Sequence, residues 1–320
     1  MILEKWKNAQ AYVIGKYHIS NNLPCQDRTY YYEEHGVKVM ALADGAGSQP
    51  HSEIGAEMVC KEICELLTNN FVEYLMFFEY EKSNPAKHFL KMKELNKIIV
   101  DHIVYKLKDK AIMMNVPLKE LSSTLLFFAI KDNHYIFGHI GDGIIAGLYS
   151  ENNGQTLKLM SEPENGAAAN ITFFITDPDS VDHLRLGSGR IENLSGIVMS
   201  SDGAADVLFC KAGIDDSSYE LFSKFNMKTS EEYHDILSEF LSKVISNYST
   251  DDLSLNILCL EDNDISNIED NYANYILDDI TSMKQIVQKS QYCYFLDSSI
   301  DANEVDFNNP QEVKRYLKWN

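Results

Sequence analysis

The chain of 320 residues is 45% apolar and 11% aromatic, enough to bury a large core and to fold as a soluble globule. Its formal net charge of −20 repels polyanions, which argues against nucleic acid and anionic membrane surfaces as partners. Six scattered cysteines form no C-x-x-C pair, no apolar run reaches the ~18 residues of a membrane helix, and no export signal opens the chain, so a reduced, cytoplasmic setting is expected.

The first 44 residues read as three strands, "AYVIGKYH", "RTYYYEE" and "VKVMALAD", each a β-branched or aromatic run bounded by turn-forming residues. From Ser52, Ile54, Met58, Val59, Ile63, Leu66 and Leu67 recur at helical spacing. Residues 86–115 repeat the pattern, with Pro117 as a stop. Strands return with "STLLFFAI", "HYIFGHI", "IIAGLY" and "TLKLM", followed by "ITFFIT" and "GIVMSS". Between the last two, "DPDSVDHLRLGSGRIENL" has no clear period and reads as a surface flap. A helical pattern at 217–246 precedes a last strand, "DLSLNILCL".

This order favours an α+β fold, a four-layer α-β-β-α sandwich of two antiparallel sheets flanked by helices, over a doubly wound parallel sheet in which strands and helices would alternate. A catalytic domain over 1–262 is expected. It is followed by an acidic, Asn-rich extension over 263–320 carrying one further helical pattern.

Asp-Gly occurs three times directly after an apolar run, at Asp44-Gly45, Asp142-Gly143 and Asp202-Gly203. By default such a pair is a two-residue hairpin turn. That reading suits Asp142-Gly143, which has strand-like sequence on both sides. It fails for Asp44 and Asp202, which lead into helical patterns. A fourth acidic site, Asp251-Asp252, stands at the start of the last strand. Carboxylates converging at strand ends repel unless cations lie between them, and oxygen donors without His or Cys suit Mg²⁺ or Mn²⁺.

Taken together and in order, "CQD", "ALADGAGS", "GHIGDG", "MSSDGAAD" and "TDDLSLNI" resemble the metal-dependent serine/threonine protein phosphatases of type 2C, and "DGAGSQPHSEIGAE" resembles their bacterial branch. The resemblance implies hydrolysis of phosphoserine and phosphothreonine esters on proteins by a metal-bridging water, opposing a Ser/Thr kinase. It also implies two Mn²⁺ or Mg²⁺ ions. Asp44 matches the bridging ligand, with Gly45 contributing its carbonyl. Asp202 and Asp251 complete the first ion's shell, Asp142 matches the aspartate of a third ion, and Asp27 is a further ligand. A monomer is expected.

Departures from the family pattern carry expectations of their own. Ala46 stands where some members have a proton-donating His, leaving His51 as a substitute donor. Asn22 stands where many have a phosphate-clamping Arg, leaving His18 and Arg190 as anion contacts. Gln26 replaces an acidic ligand, and Asp252 stands where many have Asn. Ala46 and Asn22 motivate an alternative reading, a catalytically weak, phosphatase-like sensor that retains metal.

Overall fold

The structure is a computed structural model that describes residues 6–80, 82–151, 154–164, 172–209 and 230–260. The extension expected over 263–320 and the first part of the helical pattern expected from 217 lie outside the described residues.

Two five-stranded antiparallel sheets stack face to face. The first runs in the order β1 (Trp6–Val13), β10 (Leu253–Leu260), β9 (Leu194–Ser200), β6 (Ile144–Glu151), β7 (Gly154–Ser161). The second runs β2 (Arg28–Glu34), β3 (Val37–Ala43), β4 (Leu125–Lys131), β5 (His134–Ile140), β8 (Arg185–Arg190). Long helices α2 (Ser52–Glu79) and α3 (Pro85–Met114) cover the second sheet, while α5 (Asp202–Leu208) and α6 (Ser230–Lys243) cover the first.

The near-continuous apolar runs follow from this layering, because a strand buried on both faces needs no polar side. In β3, Val39, Ala41 and Ala43 pack toward α2, while Met40 and Leu42 point between the sheets. In β4, Phe127 faces the helices and Phe128 faces the other sheet. Period-2 alternation is thus kept, but both halves are apolar. Helix α3 starts as its sequence dictates: Pro85 occupies the first turn and the Asn84 side chain accepts from Lys87 N at 3.2 Å. It ends at Asn115 in the left-handed conformation, before Pro117.

The polar side chain of Asn256 crosses the inter-sheet layer. Asn256 of β10, fully buried, donates to the carbonyls of Tyr30 at 3.1 Å and Ala41 at 3.0 Å on the opposite sheet. It also accepts from Asn8 Nδ2 at 2.7 Å.

Four expectations are corrected. The first strand lies earlier than "AYVIGKYH" suggests, at Trp6–Val13, and Lys16–Asn21 form a short helix, α1. Asp142-Gly143 is not a hairpin turn, since β5 belongs to one sheet and β6 to the other, so this pair carries the chain between sheets. "ITFFIT" forms no regular strand: in its described part only Thr172 makes a bridge, and Phe173 and Phe174 precede a turn.

The expected flap contains a short helix, α4 (Ser180–His183), and the edge strand β8. The sequence "RLGSGR" hides that strand because two of its residues are glycine. A Cβ at Gly187 would stand 2.3 Å from the Phe137 ring, and one at Gly189 would stand 2.5 Å from the Tyr135 hydroxyl. The aromatics of β5 fill the space that β8 leaves vacant.

Candidate metal centre

The sheets bring the Asp-Gly sites to one edge of the sandwich. Asp44 follows β3, Asp142 follows β5, Asp202 opens α5 directly after β9, and Asp251 precedes β10. With His18, Gln26, Gly45, Ala46, Gly47, Thr124, Thr172 and Phe174, these four aspartates line a cleft of about 150 Å³.

Local hydrogen bonding fixes each aspartate. Asp44 and Thr124 lock reciprocally, the Asp44 amide donating to Thr124 Oγ1 at 2.9 Å and the Thr124 amide to the Asp44 carbonyl at 2.8 Å. Gly45 then forms an isolated bridge with Ser123. Asp202 Oδ1 accepts from Gly203 N at 2.6 Å, and Asp251 Oδ1 accepts from Asp252 N at 2.9 Å. Gly203 is required where α5 crosses the segment before β10, since a Cβ there would lie 2.3 Å from the Asp252 carbonyl. Thr172 donates to Asp142 Oδ2.

Asp27 is fully buried beside Asp44, with the Ser201 and Ser254 hydroxyls against it, yet neither of its carboxylate oxygens has a well-formed hydrogen bond. Gln26 is likewise buried. Its Nε2 donates to the Gln49 carbonyl at 3.0 Å, which fixes the amide orientation, and its Oε1 has no hydrogen-bond partner.

The electrostatics are those of crowded anions. Burial pushes the Asp44 carboxyl well above the ordinary carboxylate range, and the charges of Asp27, Asp202 and Asp251 push it further. Burial, reinforced by Asp142 and Asp251, pushes Asp202 up to about 7. Burial also pushes Asp27 up to about 6, against the pull of the two serine hydroxyls. Asp142 is raised for the same leading reason, with Thr172 pulling it back.

As arranged, no three His, Cys, Asp or Glu side chains among the described residues close on a common point. The donor set nevertheless fits hard divalent cations: crowded carboxylates raised by their like charges, and orphaned oxygens on the buried Asp27 and Gln26. A bound cation would relieve both.

Three expected residues fare differently from the aspartates. His18, 4% exposed, lines the cleft. His51 does not: it caps the start of α2 and faces Glu120, Nε2 to Oε2 at 3.7 Å. Arg190 ends β8 opposite His134, the far end of β5 from Asp142, and pairs with Glu192 at 3.2 Å. Seven residues of β5 put it on the order of 20 Å from the cleft. Ala46 lines the cleft and is itself buried, so no side-chain donor stands at that position.

Sequence reasoning missed Thr124, Thr172, Ser201 and Ser254. One signal was available: in "DLSLNILCL" the polar residues Asp252, Ser254 and Asn256 alternate as strictly as the apolar ones. All three are buried.

Comparison with known proteins agrees with this architecture. A family described as Protein phosphatase 2C matches residues 14–242. Serine/threonine-protein phosphatase 3 of Escherichia coli (strain K12) is 24% identical over 267 residues, covering 77% of this chain and 95% of that protein. Among solved structures, a serine/threonine phosphatase of S. agalactiae superposes with a TM-score of 0.54 at 17% identity, covering 80% of this chain and all of the other. The phosphatase Stp1 of Staphylococcus aureus gives 0.53 at 15% identity, covering 82% and 98%. These likenesses establish the shared fold. With the family match extending over most of its length, this chain belongs to the protein phosphatase 2C family.

Proposed function

We propose that this protein is a Mn²⁺- or Mg²⁺-dependent phosphatase acting on phosphoserine and phosphothreonine of protein substrates, and that it opposes a Ser/Thr kinase. One observation carries the reading: carboxylates from both sheets, half-buried at Asp44, Asp142 and Asp202 and exposed at Asp251, crowd one cleft with no Lys or Arg among the described residues that line it.

In this reading Asp44, with the Gly45 carbonyl, would be shared by two cations. Asp202 and Asp251 would hold one ion, Asp27 would support the Asp44 side, and Asp142 would hold a third. When bound, such cations supply activation of water as a nucleophile and neutralisation of phosphoryl charge. The protein's own residues do the rest. Thr124 fixes the Asp44 backbone, and Thr172 ties the segment after residue 171 to Asp142. His18, which lines the cleft, offers the substrate phosphate a hydrogen-bonding contact. The catalytic unit is 1–262, acting as a cytoplasmic monomer, with 263–320 as an extension to it.

Hydrolysis of a phosphothreonine peptide tests the proposal. Turnover is expected with Mn²⁺, is expected to vanish with chelator, and should fall by at least about a hundredfold in Asp44→Ala and in Asp202→Ala. Cation binding by calorimetry without any turnover would overturn it in favour of a metal-retaining sensor.

A further inference from the structure

The acidic pair before β10 divides its labour. Asp251 is exposed and lines the cleft, whereas Asp252 is 2% exposed and spends its carboxylate on three donors from one segment. Oδ1 accepts from the Gly15 amide at 2.6 Å. Oδ2 accepts from the Gln26 amide at 2.6 Å and meets His18 Nδ1 at 2.7 Å. Residues 15 and 26 bracket α1, so one carboxylate closes that whole segment onto the strand that follows.

The amides of Gly15 and Gln26 can only donate, so both Asp252 carboxylate oxygens serve as acceptors, an arrangement that suits an N–H on the His18 nitrogen facing Oδ2. The ring is therefore oriented: Nδ1 is committed and Nε2 is the free end. His18 lines the cleft, and among the described residues that do so it is the one side chain able to carry positive charge. The groups around it are anionic: Asp252 from the segment before β10, and Asp44, Asp142, Asp202 and Asp251 across the cleft.

We propose that Asp252 is a positioning residue that holds His18 by Nδ1, so that Nε2 is presented to the cleft as the donor that receives a phosphoryl oxygen of the substrate. The inference rests on the phosphatase reading for the identity of the ligand, but not for the orientation of the ring. Since Nδ1 keeps its proton, donation from Nε2 requires the imidazolium form, and the second proton is taken from solvent as the phosphate binds. Asp252 acts on the phosphate through the imidazole, while its bonds to the Gly15 and Gln26 amides hold the segment around α1 in place.

Two measurements on the full chain separate this from a merely structural role. The first is nitrogen NMR of protein labelled at histidine, with His18 assigned by its loss in His18→Gln. Free protein should show Nδ1 protonated, and inorganic phosphate added with Mg²⁺ should protonate Nε2. A free protein with its proton on Nε2 and a bare Nδ1 would overturn the proposal. So would a ring that responds to Mg²⁺ alone and not to phosphate, the signature of a histidine metal ligand. This experiment needs no turnover, so it judges the pair even if the phosphatase assay fails.

The second is a double-mutant cycle on a phosphothreonine peptide. His18→Gln and Asp252→Asn should each raise KM about tenfold with kcat changed less than about threefold. In the His18→Gln background, Asp252→Asn should add less than about twofold. Independent, multiplying effects would overturn the proposal. If Asp252→Asn does not fold, the KM-against-kcat split of His18→Gln and the NMR assignment still decide it.

Discussion

Asp44 illustrates what one residue does here. Its amide and carbonyl are both tied to Thr124, so its position is set by the backbone, while its carboxyl is left among like charges. That asymmetry, a rigid base under a frustrated head, is what the proposed role of a cation ligand would need. Its place at the cleft was legible in the sequence because an Asp-Gly after a strand led into a helix and not into a second strand. The histidine alternatives were not legible, because a histidine's surroundings depend on residues remote in sequence: 234 positions separate His18 from Asp252. His51 and Arg190 resolve on the same ground. Each has a carboxylate neighbour away from the cleft, Glu120 and Glu192. His51→Ala and Arg190→Ala should therefore leave kcat/KM within about twofold of the wild type in the phosphopeptide assay.

At the scale of the elements, the long apolar strands and the two long helices were readable, since periodicity reports burial directly. The edge strand β8 was not, because its two glycines are explained only by the rings of Phe137 and Tyr135 on the neighbouring strand. Nor could the pattern "YIFGHIGDGIIAGLY" reveal that its two halves belong to different sheets.

Strand β5 carries a second consequence. His139 is fully buried, its Nδ1 within 2.8 Å of the Ser161 hydroxyl and its Nε2 without a partner. Burial, with Arg185 adding to it, holds this imidazole well below its ordinary value. The unfolded chain takes up a proton near pH 6.5 and the folded one does not, so the contribution of this residue is present above that pH and is lost as pH falls below it. Denaturant titrations at pH 7.5 and 5.5 should show the wild type losing about 1 kcal/mol more than His139→Gln over that interval.

For the whole molecule, a net charge of −20 and a cleft of crowded carboxylates point the same way. Removing cations should cost stability, not only activity. Mn²⁺ at a hundredfold excess over its dissociation constant should stabilise the native state by about 2.7 kcal/mol per site, read as a rise in Tm that chelator reverses. The four-layer order was legible because strands and helices come in blocks. The convergence of acidic strand ends on one edge was legible too; which sheet each strand joins was not, and the cleft draws Asp44 and Asp142 from one sheet and Asp202 and Asp251 from the other.

That shared origin gives Asn256 a meaning beyond its hydrogen bonds. It lies four residues from Asp252, on the order of 13 Å along the strand, and touches no part of the cleft. Yet it ties one sheet to backbone carbonyls of the other, and so acts as a gauge block, setting the spacing at which the two halves of the carboxylate cluster confront each other. Asn256→Leu should cost about 3 kcal/mol in denaturant unfolding. In the fraction that remains folded, it should also weaken Mn²⁺ binding measured by calorimetry. The ion would then sense, through the width of a gap, a substitution made in the middle of the core.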